Sequence, residues 1–537
     1  MQAVAIRRLL VANRGEIAVR VFRTCARLGI DTVAVFAPDD RDSFHVRSAD
    51  TAVEIGSYLD GAEHVRAALA AGADAIHPGY GFLAENPGFA EAVIAAGITW
   101  VGPSPEALRL GGDKVAAHRV AVGNGVPTLP QGSPDEIGFP LVIKAAAGGG
   151  GRGMRVVRSP RELDDALAAA RREAEAAFGD DTVFCERYLE RPRHIEAQLL
   201  GHSRGVTVLG GRDCSVQRRH QKLIEESPPP GLGPGAWSRI EAGATAFAEA
   251  IGYEGAGTAE FLVAEPDVYF LELNGRIQVE HPVTEEVTGL DIVELQLRVA
   301  TGEEIELDVT SRGHAIEARL YAEDPRRFLP QTGRIDRLVL PTGVRVDAGV
   351  EEGDEIGLAY DPMIAKLIAH GVDRNDAIAR LATALAETDV EGLITNLPFL
   401  RWLVRHPAFL AGSVTTAFLV DHVPLSALPL RAAPTSFAIP WRLNQPAPAP
   451  AAAPDGDAVA PGATAQGHGV IIAPMPGTVL AVRVVVNDEV TPQQRLVILE
   501  AMKMEMPVLA PFAATVTAVH VKPGDQVAAG AQLVELG

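Results

Sequence analysis

The chain of 537 residues predicts an α/β protein with a Rossmann-like, parallel-sheet unit at its N-terminus and a small all-β sandwich at its C-terminus. Three observations predict this. Short apolar runs alternate with a helical stripe over residues 9–101, a Pro/Ala stretch interrupts the chain at 446–466, and residues 469–537 contain one pattern twice.

Leu9-Leu10-Val11-Ala12 reads as a strand and Thr32-Val33-Ala34-Val35-Phe36 as the next. Between them Ile17, Val21, Cys25 and Leu28 fall on one helical stripe, with Gly29 as a stop. This is a βαβ unit, and Ile76, a helix over 87–96 and Thr99-Trp100-Val101 continue it, so the sheet is expected to be parallel. The first turn, Asn13-Arg14-Gly15-Glu16, lacks the three glycines of a dinucleotide fingerprint, which disfavours a nicotinamide enzyme.

Next, Leu141-Val142-Ile143-Lys144 is an apolar run ending in a cation, followed after three alanines by Gly148-Gly149-Gly150-Gly151-Arg152-Gly153-Met154 and a second strand, Arg155-Val156-Val157. Glycines let backbone amides approach an anion and Lys144 adds a point charge, so this loop is a phosphate-binding candidate; a floppy hairpin has the same composition. Farther along, Val268 to His281 reads as one extended strand. Glu272, Asn274, Arg276, Gln278 and Glu280 then share a wet face, and Leu271, Leu273, Ile277 and Val279 share a core face. An exposed antiparallel edge would alternate in the same way, but this wet face carries two carboxylates, an amide and a guanidinium instead of Thr and Lys. With Glu260 in the strand Gly257–Val263, the acids and Asn274 form an oxygen-only donor set suited to Mg²⁺.

The segment 446–466 holds five prolines and nine alanines, too little apolar bulk for a core, and is expected to be a linker. Extended at about 3.1 Å per residue it would reach roughly 65 Å. Beyond it, an offset of 37 positions superimposes Ala473 on Ala510, Val479 on Val516, Asp488 on Asp525, Val490 on Val527 and Leu496 on Leu533. Each copy is a set of short strands broken by turn residues, so the pair is expected to close into a two-fold sandwich, with Lys503 at the tip joining the halves. A lysine placed there is a site where a swinging prosthetic arm can be attached.

Composition narrows the classes. With 48 basic and 69 acidic residues the net charge is −21, which argues against a nucleic-acid partner. Cys25, Cys185 and Cys214 form neither a disulfide framework nor a zinc pattern, as expected for a reducing cytoplasmic setting. Residues 1–12 run directly into a strand, so no leader is expected, and no apolar run reaches the roughly 18 residues of a membrane span.

Ala501-Met502-Lys503-Met504 resembles the attachment sequence of biotinyl carrier domains, and Pro474-Met475-Pro476-Gly477 matches the turn that faces it in that family. Lipoyl domains share the architecture but usually place their lysine in an Asp-Lys-Ala setting, so biotin is favoured. Residues 5–440 resemble the biotin carboxylases, a branch of the ATP-grasp enzymes. The blocks that carry this are Val11–Ile17, His77–Asn86, the glycine loop, Arg212–Lys222 and the 272–282 stretch. The resemblance implies an N-terminal domain over 1–115, an ATP-grasp domain over 116–312 with a lid at about 133–205, an α+β C-terminal domain over 313–445, a linker at 446–468 and a carrier over 469–537.

The same resemblance implies roles. Lys114, Lys144, Gly150, Gly151, Met154, the hinge Glu186-Arg187-Tyr188-Leu189, His194, Gln217 and His220 would hold ATP. Glu260, Glu272 and Asn274 would bind Mg²⁺ (or Mn²⁺). Lys222, Arg276, Gln278 and Val279 would form the bicarbonate site, and Glu280 would take the bicarbonate proton to give carboxyphosphate. Arg345 would hold the enolate oxygen of biotin, which is expected on Lys503, placed there by a biotin protein ligase. Gly275 and Arg187 depart from the family's usual Thr/Pro and Lys; for Gly275 altered packing on a strand's core face is expected, without loss of chemistry.

Transfer of the carboxyl group needs a carboxyltransferase for which the chain has no room, so a separate β subunit is expected, together with a homodimeric carboxylase core. Between Trp441 and the carrier there is no space for an extra docking domain. Acetyl-CoA or propionyl-CoA is the expected final acceptor. A pyruvate carboxylase subunit and a non-catalytic carrier scaffold are the alternatives.

Overall fold

The computed structural model describes residues 5–145, 154–178, 180–218, 221–326, 328–422, 469–501, 504–528 and 530–537. The glycine loop with Gly150 and Gly151, His220, the Pro/Ala linker and Lys503 lie outside these residues.

β1 (Arg8–Val11), β2 (Asp31–Phe36), β3 (Thr51–Glu54), β4 (Ala75–His77) and β5 (Thr99–Trp100) form a parallel sheet in the order β3-β2-β1-β4-β5. The helix Gly15–Leu28 buries Ile17, Val21 and Cys25 against it. Leu28, expected on the same stripe, is instead 39% exposed. It is the last helical residue, and Gly29 in the left-handed conformation (φ 70°) turns the chain away before the stripe reaches the core. The helix Pro87–Ala95 starts where Asn86 accepts the Phe89 N–H and Pro87 presets the first turn.

β6 (Gln131–Gly132), β7 (Leu141–Ala145), β8 (Arg155–Val157) and β9 (Val183–Arg187) make a four-stranded sheet in the order β6-β9-β7-β8. Eight strands follow in one antiparallel sheet: β10 (Arg193–His202), β11 (Gly205–Arg218), β12 (Gln221–Ser227), β13 (Gly255–Ala264), β14 (Asp267–Asn274), β15 (His314–Tyr321), β18 (Arg345–Ala348) and β20 (Met363–Gly371), ordered β14-β13-β10-β11-β12-β15-β20-β18. Because β12 pairs with β15, this sheet is continuous across residue 312. Two small ladders complete the region, β16 (Gly333–Arg334) with β19 (Glu355–Ile356) and β17 (Arg337–Val339) with β21 (Asp389–Glu391).

The C-terminal module is a sandwich of two four-stranded sheets, and the 37-residue repeat explains its plan. Its strands are β22 (Val470–Ile472), β23 (Gly477–Val482), β24 (Glu489–Val490), β25 (Arg495–Ala501), β26 (Met504–Leu509), β27 (Ala514–Val519), β28 (Gln526–Val527) and β29 (Gln532–Leu536). One sheet is β22-β29-β27-β24 and the other β26-β25-β23-β28, so each takes two strands from each copy and neither copy closes a core alone. The matched pairs Ala473/Ala510, Val479/Val516, Val490/Val527 and Leu496/Leu533 are all buried between the sheets. β25 ends at Ala501 and β26 begins at Met504, and these two residues pair. Among the described residues no helix is long and apolar enough to cross a membrane.

Candidate active site

Strand alternation builds the first part of the site. His194, Glu196 and Gln198 point to one face of β10, and all three are buried. Register then sets Glu272 of β14 opposite Glu260 of β13, Glu260 opposite Glu196, and Glu196 opposite Arg212 of β11. Three carboxylates in one transverse row repel each other and need cations. Lys222, from β12, supplies one: its Nζ lies 2.5 Å from Glu196 Oε2 and 2.9 Å from Glu260 Oε1, and it also donates to Glu280 Oε1. Burial alone would lower the Lys222 pKa, but Glu196, Glu260 and Glu280 together raise it well above its ordinary value, so the ammonium stays charged.

The single strand expected over 268–281 is not formed. β14 stops at Asn274, residues 275–280 make a turn, and the helix His281–Thr288 begins directly after Glu280. The alternation also changes phase at a bulge: Glu260 faces Glu272 while Phe261 faces Phe270, leaving Leu271 as the extra residue. Val268 and Phe270 therefore face the core before the bulge and Leu273 after it. Of the expected core face only Leu273 and Ile277 are buried; Leu271 and Val279 are half-buried. Gly275 lies beyond the strand, against Leu108: a Cβ there would meet Leu108 Cδ2 at 2.9 Å, a flexible methyl end, so the position is tight and not loosened.

The turn still delivers the predicted groups, held by a residue that the sequence did not single out as a ligand. Glu85 accepts the Gly275 N–H at 3.0 Å and Arg276 Nε at 2.9 Å, tying the turn to the N-terminal unit. Arg276 Nη2 donates to Asn274 Oδ1 (2.8 Å), and Gln278 Nε2 to Glu260 Oε1 (2.8 Å). Glu280 Oε2 accepts from Arg319 Nη2 at 3.0 Å. Burial would raise the Glu280 carboxyl, yet Lys222, Arg319 and Arg212 hold it far below the usual carboxylate range. It is ionised at any physiological pH.

On the other flank Lys144 pairs with Glu186, which also accepts from Gln131 Nε2 at 3.1 Å. Gln217 Nε2 bridges His194 Nδ1 (2.9 Å) and the Cys214 carbonyl (2.8 Å). Burial lowers the Lys114 pKa more than Glu272 raises it. Arg187 is exposed, with Nη1 on the Ile137 carbonyl at 3.3 Å. Tyr188 donates its N–H to Pro140, and Leu189 and Met154 are half-buried.

The donor set fits a divalent cation. Burial, and next the charge of Glu260, raise the Glu272 carboxyl, the signature of paired acids awaiting a counter-charge. Asn274 completes an all-oxygen set with its Oδ1, now on Arg276. Two other groupings, His194/Glu196/Glu260 and Glu196/Cys214/Glu280, also bring potential ligand atoms together; Lys222 is paired with each of their acids, Glu260 among them, and His194 and Cys214 would add nitrogen or sulfur where the Glu260/Glu272/Asn274 set offers oxygen alone.

Arg345 stands apart from this cluster. Its Nη1 is 2.9 Å from Glu285 Oε2 and its Nη2 is 2.8 Å from Asp347 Oδ2. The link back runs through Lys366, 3.9 Å from Asp347 and donating to the Val279 carbonyl at 2.8 Å. Glu196, Arg212 and Arg319 were missed in the sequence; charged residues at inward positions of otherwise apolar strands were the available signal.

Residues 5–108 match the family model of the biotin carboxylase N-terminal domain, and residues 131–308 match the ATP-binding domain of the carbamoyl-phosphate synthase L chain. The biotin carboxylase C-terminal domain matches residues 317–421, and a model described as biotin-requiring enzyme matches residues 469–536. The mitochondrial methylcrotonoyl-CoA carboxylase subunit alpha of Arabidopsis thaliana is 47% identical over 78% of this chain, which spans 61% of that relative's length. The biotin-dependent acyl-coenzyme A carboxylase alpha3 subunit of Mycobacterium leprae is 43% identical, over 99% of this chain and 98% of its own. Among solved structures, the biotin carboxylase domain dimer of Hydrogenobacter thermophilus 2-oxoglutarate carboxylase, in complex with MgADP, ADP and bicarbonate, superimposes with a TM-score of 0.76 at 42% identity, covering 78% of this chain and 98% of that one. With its carboxylase domains matched in order and a biotin-requiring domain behind them, this chain belongs to the biotin carboxylase family.

Proposed function

We propose that the chain is the biotin carboxylase and carrier subunit of a multisubunit acyl-CoA carboxylase, with acetyl-CoA or propionyl-CoA as final acceptor and a separate carboxyltransferase β subunit as partner. The observation that carries the reading is Lys222 clamped by Glu196, Glu260 and Glu280 beside Arg276 and Gln278, two cations and an amide set against an acid row suited to a cation. The end-to-end match to an acyl-CoA carboxylase alpha subunit supports it. The domain division expected from the sequence goes with it.

In this reading Lys114, Lys144, His194, Gln217 and the Glu186–Leu189 hinge hold ATP, together with Gly150, Gly151, Met154 and His220. Mg²⁺ held by Glu260, Glu272 and Asn274 would neutralise the ATP phosphates. Biotin on Lys503 would supply the ureido nitrogen that accepts the carboxyl group. Arg276 presents paired donors to the planar bicarbonate and Lys222 a point charge, so two anions are brought together before reaction. Glu280 takes the bicarbonate proton, allowing attack on the γ-phosphorus to give carboxyphosphate and ADP. Glu280 is ionised but weakly basic while Lys222 is bonded to it; as Lys222 turns toward the bound anion, that hold slackens and its basicity rises. Arg345 is assigned the enolate oxygen of biotin, reached once its bonds to Glu285 and Asp347 loosen.

A methylcrotonoyl-CoA acceptor is a second reading, favoured by the plant relative. Assaying the purified complex with acetyl-CoA, propionyl-CoA, methylcrotonoyl-CoA and pyruvate separates these. Turnover with acetyl- or propionyl-CoA is expected, and turnover with pyruvate alone would overturn the acyl-CoA assignment.

A further inference from the structure

Arg212 has no solvent contact, and each of its five N–H groups has an acceptor. Nε is 2.5 Å from Glu196 Oε1. Nη1 lies 2.7 Å from Gln198 Oε1 and 2.8 Å from Thr284 Oγ1, and Nη2 lies 3.1 Å from Thr258 Oγ1 and 3.4 Å from Gln278 Oε1. The acceptors come from β10, β13, the 275–280 turn and the helix His281–Thr288. A buried ion pair is weak evidence for stability, since apolar residues of similar volume often serve as well. The identity of the acceptors is what gives this arginine a use.

Glu196 spends one carboxylate oxygen on Arg212 and the other on Lys222 Nζ, so the lysine is aimed through the carboxylate. Gln278 is caught from both ends: its Oε1 faces Arg212 and its Nε2 faces Glu260 Oε1 at 2.8 Å. A flip of that amide would set N–H against guanidinium and oxygen against carboxylate, losing both bonds. One planar fork thus fixes the donors of two residues on different elements, which a lysine with a single point charge cannot span.

We propose that Arg212 is a positioning residue for bicarbonate, holding Lys222 through Glu196 and orienting the Gln278 amide directly. This rests on the reading of Lys222 and Gln278 as bicarbonate-binding groups. The test is steady-state kinetics of ATP cleavage by the full biotinylated chain, wild type against Arg212→Lys and against the double variant Arg212→Met, Glu196→Gln, which leaves no buried charge unpaired while Glu260 and Glu280 still hold Lys222. The expected result is a rise in KM for bicarbonate of about tenfold or more, the size of a lost hydrogen bond to a charged group, with KM for ATP within about twofold. An active wild type whose variants keep the bicarbonate KM, or raise both KM values together, overturns the positioning role alone. A wild type without bicarbonate-dependent ATP cleavage overturns the functional reading and this role with it.

Discussion

Glu280→Gln is expected to cut bicarbonate-dependent ATP cleavage by about 10²- to 10⁴-fold, the usual worth of a positioned proton acceptor, while nucleotide still binds. Glutamine keeps the volume and one oxygen of the carboxylate but cannot accept the proton. The fold should tolerate the change, because the two cations that lose a partner each keep another: Lys222 retains Glu196 and Glu260, and Arg319 retains Glu225. In the unliganded chain Glu280 is ionised throughout the neutral range, so the loss in kcat/KM for bicarbonate should be similar at pH 6 and pH 8. ADP release with and without bicarbonate, alongside a direct measurement of nucleotide binding, reads this out. A variant that cleaves ATP at the wild-type rate would remove Glu280 as the base.

Lys503→Arg is expected to abolish carboxylation of the chain itself and leave ATP cleavage with added free biotin nearly unchanged. The guanidinium keeps the charge at that position but offers no amine for amide formation with biotin. The hydrogen bonds that build the carboxylase site, from Lys222 to Glu196, Glu260 and Glu280 and from Arg319 to Glu280, involve no residue of the carrier module, so the site is expected to keep its geometry. Intact mass shows the missing biotin, and an ADP assay with free biotin shows the surviving chemistry. Loss of both activities together would mean that Lys503 serves some other purpose.

The parts that local physics determines were legible in the sequence. The parallel sheet followed from alternating strands and the helix at 15–28, and the interleaved sandwich from the 37-residue repeat. Misreadings arose where tertiary contacts overrode periodicity. The run from Val268 to His281 alternates like a strand throughout, yet Glu85, nearly 200 positions away in sequence, captures Gly275 and Arg276 and turns the chain after Asn274. Leu28 fits the helical stripe but sits at its rim. Lys222 was assigned to the bicarbonate site by resemblance, and its three acidic partners depend on the register of β10, β13 and the turn, which no pattern in β12 encodes. Arg345 was assigned by resemblance, and its place among Glu285, Glu286 and Asp347 depends on long-range ion pairs from β18 to the helix His281–Thr288.

The central claim is that one polypeptide carboxylates the biotin it carries. Biotinylated chain incubated with ATP, Mg²⁺ and ¹⁴C-bicarbonate, then rapidly desalted and digested, tests it. Acid-labile label that requires ATP and maps to the peptide containing Lys503 is the predicted result; a fully biotinylated chain that cleaves ATP yet acquires no label there would contradict it.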